Sequence, residues 1–127
     1  MLFDLSDLFD PAILLLRIVV AIVFFSSGMG HVQKPKERSE SIGLPPSLTS
    51  FLGIAEIVGA ISIALGIYIQ IGAAILICVM LGAIYKKIFE WKTGFYADEV
   101  YGWHYDLILL LANLVFLSNP GAYIIFP

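Results

Sequence analysis

An apolar run from Leu48 to Gly72 contains a single carboxylate, Glu56, and this combination most constrains the fold. The run is long enough to cross a bilayer, because a hydrocarbon core of about 30 Å needs roughly 20 helical residues at about 1.5 Å each. Glu56 lies about two turns inside the helix, on the order of 12 Å, which is too deep for its side chain to reach the headgroups. Since charge at membrane depth is costly, Glu56 is expected to face a bundle interior and a partner.

The composition indicates an integral membrane protein. Hydrophobic residues make up 60% of the chain and charged residues only 13%, with a mean hydropathy of +0.95, so the lipid bilayer is an expected partner. The net charge of −3 and the scattered seven Lys and Arg argue against nucleic acid as a partner. The lone cysteine, Cys78, excludes an intramolecular disulfide and a cysteine metal site, and no metal is expected.

Four apolar segments predict an all-α fold, an integral membrane bundle of four transmembrane helices in a single domain, residues 1–127. Turn-forming or charged residues separate the segments. The helices are expected at about residues 11–30, 48–69, 72–89 and 102–118. Because the turn between the second and third is very short, these two are expected to be antiparallel neighbours. The polar stretch 31–47 is expected to be a loop.

The distribution of Lys and Arg predicts the orientation in the cell membrane. The two longer connections carry most of the cations, whereas the acidic N-terminus, the short turn and the C-terminus carry none. The positive-inside rule therefore places both termini outside.

Depth arithmetic suggests a partner for Glu56. Arg17 lies roughly 9 Å below the outer end of the first helix, and Glu56 roughly 12 Å from the inner end of the second. In a slab of about 30 Å, their Cα atoms therefore differ in height by about 9 Å. An extended arginine spans that distance. We therefore expect an Arg17–Glu56 charge pair, joined by Asn113 at a similar depth on the fourth helix. Such a pair could serve function or only hold the helices together.

A second set of polar residues is expected at the end of the bundle where the first helix finishes. His31, Lys86, His104 and Asp106 all fall within roughly two turns of that interface. A histidine beside acids can shuttle protons or hydrogen-bond the carbonyl of a quinone-like ligand. Nearby aromatic residues would line an apolar slot: Trp91, Tyr101, Trp103 and Tyr105. The alternative is that these residues are ordinary interfacial anchors. Haem ligation by the two histidines has no further support in the sequence.

A stripe of small residues lies on one face of the second helix: Ala55, Gly59, Ser62 and Gly66. Small residues at this spacing permit close approach of a neighbouring helix. We interpret the stripe as a packing surface.

Nearly the whole chain from Leu14 onward resembles the DoxX-like family of small four-helix membrane proteins. The resemblance lies in LLLRIVVAIVFFSSGMGHVQK, GLPPSLTSFLGIAEIVGAISIALGI, LGAIYKKIF and GWHYDLILLLANLVFLSNPGAYIIF. The matching positions are Arg17, Gly28, Gly30, Glu56, Gly59 and the stop from Asn119 to Gly121. The chain departs from the family pattern at His31, where Lys is frequent, at Lys86, where His is common, and at His104, where Glu is usual.

The resemblance implies association with membrane redox systems, including quinone-linked sulfur oxidation and oxidative-stress complexes. We therefore expect a small membrane subunit of a redox complex, with a soluble oxidoreductase as partner and a quinone as the candidate cofactor. The alternative is a non-enzymatic assembly factor or a carrier of small molecules or lipids. The sequence decides neither whether the chain is itself an enzyme nor whether it forms a homo-oligomer.

Overall fold

The computed structural model describes residues 2–96 and 101–127, and its regular elements are helical. A short 3-10 turn at Ser6–Leu8 leads into the first of five α-helices, and a π-helical turn at Lys86–Glu90 extends the fourth. The α-helices are α1 (Phe9–Gln33), α2 (Pro35–Ile42), α3 (Pro46–Leu65), α4 (Ile69–Tyr85) and α5 (Trp103–Ser118). The predicted all-α class is confirmed.

Three helical segments are long and apolar enough to cross a membrane, namely Ser6–Gln33, Pro46–Leu65 and Ile69–Glu90. The helix α5 is apolar but shorter. Contacts run along α1 and α3, along α3 and α4, and along α4 and α5, whereas α1 and α5 touch at few points. The side chains between the helices form one apolar core, to which α1, α3, α4 and α5 all contribute.

The end of α3 and the stretch 31–47 differ from the sequence prediction. The helix α3 ends at Leu65 because Gly66 adopts a φ of +75°, a left-handed conformation that suits glycine and closes the last turn. The stretch predicted as a loop contains α2. Pro35 stands in its first turn, where proline is tolerated, and Gly43, with a φ of +73°, ends it.

The start of α1 and the C-terminal tail lie together at one end of the bundle, which we call the terminal end; α2 and the start of α5 lie at the opposite end, the loop end. The C-terminal tail, residues 119–127, packs on the terminal end. Ile125 and Phe126 donate backbone hydrogen bonds of 3.0 Å to the carbonyl oxygen of Gly66. The backbone N–H of Ala122 donates to Asp10 Oδ1 over 2.9 Å. The tail therefore ties the start of α1 to the end of α3.

Candidate functional site around Glu56

Two glycines bring α1 and α3 into close contact toward the loop end. A Cβ added at Gly28 would lie 2.6 Å from the carbonyl oxygen of Gly53, and one added at Gly53 would lie 2.7 Å from that of Gly28. Cβ atoms do not approach an oxygen this closely, so glycine at both positions permits this backbone separation. The crossing presses Glu56, three residues after Gly53, directly against α1.

Glu56 forms a buried polar cluster with Ser27 and His31 of α1, which we call the Glu56 site. The Ser27 hydroxyl donates a hydrogen bond to Glu56 Oε1 over 3.1 Å. His31 Nε2 lies 3.5 Å from Glu56 Oε2. Glu56 is 2% exposed and His31 is 7% exposed. The carboxyl group therefore lies inside the bundle, where its partners are a hydroxyl group and an imidazole.

His31 presents its second ring nitrogen, Nδ1, without a hydrogen-bond partner among the described residues. A neutral imidazole has one N–H donor and one acceptor nitrogen, and the tautomer follows the partners. Because Nε2 faces Glu56, Nδ1 remains for another group. A buried polar atom that lacks a partner costs about 1–3 kcal/mol. A ligand that hydrogen-bonds to Nδ1 would recover part of this free energy.

Arg38 of α2 packs beside the Glu56 site at the loop end. A Cβ added at Gly30 would lie 2.5 Å from Arg38 Nη2, so the guanidinium group lies directly on α1. Its charge is within electrostatic range of His31 and Glu56. The acid and the imidazole are groups that can hold and transfer a proton, and the arginine, which stays protonated, adds a fixed positive charge beside them. Among the described residues, no three His, Cys, Asp or Glu side chains gather in a way that would hold a metal ion.

Arg17 does not pair with Glu56, and this corrects the predicted charge pair. Its side chain is 1% exposed and donates hydrogen bonds to four backbone carbonyl oxygens at the terminal end, an arrangement that we call the Arg17 clasp. The acceptors are Ile63 at 2.8 Å, Ala64 at 3.5 Å, Pro120 at 3.3 Å and Tyr123 at 2.7 Å. Two of these carbonyls end α3, where the helix dipole is negative, and two belong to the tail.

The direction of the side chains explains the correction. Cα–Cβ bonds tilt toward the N-terminus of their own helix, so Arg17 leans toward the terminal end, whereas Glu56 on the antiparallel α3 leans toward the loop end. Arg17 binds the carbonyl of Ile63, seven residues beyond Glu56, which is about 11 Å along the axis. The predicted pair is wrong because the two Cα atoms are close in height but their side chains point toward opposite ends of the bundle.

Asn113 of α5 is fully buried and does not join Arg17. Its Nδ2 donates a hydrogen bond of 2.9 Å to the carbonyl oxygen of Leu109. Its Oδ1 has no hydrogen-bond partner among residues 2–96 and 101–127.

The ligand cluster predicted at the loop end is not assembled as a single site, because its members have separate partners. Lys86 Nζ pairs with Glu90 Oε2 at 2.8 Å. His104 Nδ1 lies 2.6 Å from the carbonyl oxygen of Phe95. His31 belongs to the Glu56 site instead.

The fourth member of the predicted cluster, Asp106, pairs with a lysine that the sequence analysis did not select. Lys87 Nζ lies 2.7 Å from Asp106 Oδ2, and the Asp106 side chain is 5% exposed. The same ammonium group lies 5.8 Å from the ring centroid of Tyr105. Tyr105 stacks on Tyr101 with ring centroids 4.5 Å apart. Tyr101 and Tyr105 therefore pack on each other, which differs from the slot predicted from the sequence.

The predicted small-residue stripe divides between three locations. A Cβ added at Gly59 would lie 2.7 Å from Leu76 Cγ, and one added at Gly72 would collide with Ser62 Oγ, so Gly59 and Ser62 form the α3–α4 crossing. Gly66 ends α3. Ala55 lines a groove on the outer surface between α3 and α4.

Comparison with known proteins identifies relatives among membrane proteins. The family model described as DoxX matches residues 12–89. The chain is 30% identical to the uncharacterized membrane protein Rv3486 of Mycobacterium tuberculosis, over 87% of this chain and 77% of that protein. It is 26% identical to a Bacillus subtilis protein named "Putative oxidoreductase CatD", over 84% of this chain and 77% of that protein. No solved structure gives a significant match.

Proposed function

Because the chain belongs to the DoxX family, we propose that it acts as a small multi-pass membrane subunit of a redox system and binds a quinone-like ligand at the Glu56 site. The relative named as an oxidoreductase supports the redox association. The observation that carries the ligand proposal is that Nδ1 of the buried His31, beside the Glu56 carboxyl group, has no hydrogen-bond partner in the part of the chain that the structure describes.

The donor set of the Glu56 site fits a quinone. A quinone presents carbonyl oxygens on a flat apolar ring, and sites for such molecules are mostly apolar with a few polar groups that fix orientation. His31 Nδ1–H would donate a hydrogen bond to a carbonyl oxygen, while Nε2 exchanges a proton with Glu56. A bound quinone would supply redox chemistry. The chain would bind the head group, exclude water and hold a proton at the imidazole.

The path of the chain supports α5 as a fourth membrane crossing. Its 16 residues span about 24 Å, less than the hydrocarbon thickness, but the tail continues beyond it. The helix starts at the loop end, and the tail that follows it reaches Gly66 at the terminal end. The segment from Trp103 to Phe126 therefore runs from one end of the bundle to the other.

The proposed orientation places both termini outside and the loop end in the cytoplasm. Cysteines introduced at the exposed positions Lys36 and Lys92, in a Cys78→Ala background, should resist a membrane-impermeant thiol reagent in intact cells. A cysteine at Ser6 should react. Reaction at the first two positions and protection at the third would reverse the orientation.

The proposed partner is a soluble oxidoreductase that docks at the membrane. Affinity purification in mild detergent, followed by mass spectrometry of proteins and lipids, should recover such an enzyme. The same preparation from a strain that lacks the tagged protein is the control. Recovery of the chain without any oxidoreductase would contradict membership of a redox complex.

Thermal unfolding in detergent tests the ligand. A decyl-substituted benzoquinone at a hundredfold excess over its dissociation constant should stabilise the wild-type protein by about 2.7 kcal/mol, because ligand binding to the folded state shifts unfolding. His31→Gln should lose this stabilisation, since glutamine can still reach Glu56 from the position of Nε2 but has no atom at Nδ1. The unfolding of this variant without ligand should change little.

Lys86→Ala and His104→Ala are matched controls at the loop end. Both residues have local partners, so their loss should leave stabilisation by the quinone intact. If either substitution abolished it while His31→Gln did not, the ligand would bind beside Lys86 or His104, and the Glu56 site would be rejected as its binding site. If the wild-type protein were not stabilised at all, quinone binding would be rejected.

A second candidate function is that of a non-enzymatic lipid carrier, and the groove between α3 and α4 favours it. The groove is almost entirely apolar, and Ala55 and Ala74 leave room for an acyl chain. Native mass spectrometry should then detect a retained lipid that Ala74→Phe displaces. Retention of the lipid by this variant would contradict the carrier function.

A further inference from the structure

The orientation of the Asn113 side chain is fixed by its own helix. The carbonyl oxygen of Leu109 can only accept a hydrogen bond, so the Asn113 atom 2.9 Å from it must be the amide nitrogen. The alternative flip would place two acceptor oxygens against each other. Oδ1 is therefore the atom that faces away from the Leu109 carbonyl, and it is buried without a partner among the described residues.

Because Asn113 Oδ1 is a buried acceptor, it favours ligands that carry a hydrogen-bond donor. An amide oxygen accepts hydrogen bonds and cannot donate one. A ligand with an O–H or N–H group therefore satisfies Asn113, whereas a ligand that presents only carbonyl oxygens leaves it unsatisfied or repels it. Sites with buried polar groups discriminate strongly against analogues that lack the matching group.

The packing of the helices places Asn113 near the depth of Glu56. Gln70 Nε2 donates to the carbonyl oxygen of Leu117 on α5, and α3 and α4 cross at Gly59 and Gly72. Counted from these contacts at about 1.5 Å per residue, Asn113 and Glu56 lie within about one turn of the same depth. The helix α5 touches α1, the helix that carries His31, at few points, so a ligand between them would displace few helix contacts.

We propose that Asn113 Oδ1 is a second polar contact of the ligand site and accepts a hydrogen bond from a ligand hydroxyl group, so that the site prefers the quinol over the quinone form. This inference rests on the proposed function and adds the redox form of the ligand. His31 Nδ1–H donates a hydrogen bond to one oxygen of the ring, and Asn113 Oδ1 accepts a hydrogen bond from the hydroxyl group at the other. A single net hydrogen bond corresponds to about a fivefold difference in affinity.

The test compares the affinities of a decyl-benzoquinone, its dithionite-reduced quinol and an alkylphenol, with dithionite alone as a blank. Wild-type protein should bind the quinol at least about fivefold more tightly than the quinone. The alkylphenol, which carries a hydroxyl group and forms no quinone under these conditions, should show the same sensitivity to Asn113 as the quinol. Asn113→Leu should abolish the preference, weaken quinol binding and leave quinone binding unchanged or improved.

Asn119→Ala, which changes the exposed asparagine at the end of α5, is the matched control and should keep the preference. If Asn113→Leu does not fold, Asn113→Ser replaces it, because the shorter hydroxyl side chain should also lose the preference. Equal binding of both redox forms by the wild-type protein, or an unchanged preference in the Asn113 variants, would overturn the inference but leave quinone binding standing. Binding of none of the three probes would reject the proposed function and this inference together.

Discussion

The two buried polar centres of the bundle differ in what satisfies them. At the terminal end, the Arg17 clasp binds backbone carbonyls of α3 and the tail. At the loop end, the Glu56 site pairs two groups that can exchange protons, and a ring nitrogen of His31 has no partner in the described residues. Because the Arg17 guanidinium group is hydrogen-bonded, within residues 2–96 and 101–127, only to backbone carbonyl oxygens, its role is to hold α1, α3 and the tail together. At the Glu56 site, by contrast, an acid and an imidazole leave one ring nitrogen without a hydrogen-bond partner among the described residues, and the proposed ligand contact rests on this nitrogen.

The largest expected effect comes from removing the Arg17 clasp. Arg17→Leu should lower the free energy of unfolding by about 3–5 kcal/mol, because several buried carbonyl oxygens lose their charged donor at once. Lys36→Leu, which removes an exposed cation on α2, should change it by less than about 0.5 kcal/mol. Thermal unfolding in detergent measures both. A small loss in Arg17→Leu would mean that the tail is held by other contacts.

A double-mutant cycle adds a direct test of the separation between the two centres. Because Arg17 and Glu56 lean toward opposite ends, the effects of Arg17→Leu and Glu56→Leu should add within about 0.5 kcal/mol. The charge pair predicted from the sequence would instead give strong coupling. Coupling above about 1 kcal/mol would therefore restore that pair.

The second prediction concerns the glycine crossing that builds the Glu56 site. Gly53→Ala should lower the free energy of unfolding by about 1–3 kcal/mol, because the new methyl group would meet the Gly28 carbonyl and His31 Cβ within 2.8 Å. Gly82→Ala on α4 is the control, since a Cβ there has nothing within 4 Å, and it should be neutral or slightly stabilising. Equal effects of the two substitutions would show that the crossing is looser than described.

The sequence was sufficient to predict the four apolar helices and the burial of Glu56, but neither helix α2 nor the partners of Glu56. The length of the apolar segments and the position of the charged residues indicate which segments can cross a membrane and which side chains must be buried. Backbone carbonyls carry no residue-type signal, so the acceptors of Arg17 were invisible. Ser27 could have been found, because it lies one turn before His31 on the same face of α1. Helix α2 could also have been found from Pro35 and Gly43, which mark its first turn and its end.

The third prediction separates two adjacent lysines at the loop end. Lys87→Ala should cost about 1–3 kcal/mol of unfolding free energy, because it leaves the buried Asp106 carboxylate without its cation. Lys86→Ala breaks a more exposed i,i+4 pair with Glu90 and should cost less than about 0.5 kcal/mol. If the two variants unfolded alike, Asp106 would have to be satisfied by other groups, and this end of the bundle would not depend on the ion pair.

Within the two buried centres, the smallest expected effect on stability is at Glu56 itself, where Glu56→Gln keeps the size of the side chain and removes its charge. Burial of a carboxyl group is costly, and the amide can still accept from Ser27, so unfolding without ligand should change by less than about 1 kcal/mol. The proton exchange with His31 is lost, so stabilisation by the quinone should fall. Ser27→Ala, which removes one hydrogen bond to Glu56 but no proton-exchanging group, is the control and should keep most of the ligand effect. If Glu56→Gln lowered the free energy of unfolding by several kcal/mol, this carboxyl group would have a structural role like that of Arg17. The contrast between the two ends of the bundle would then be lost.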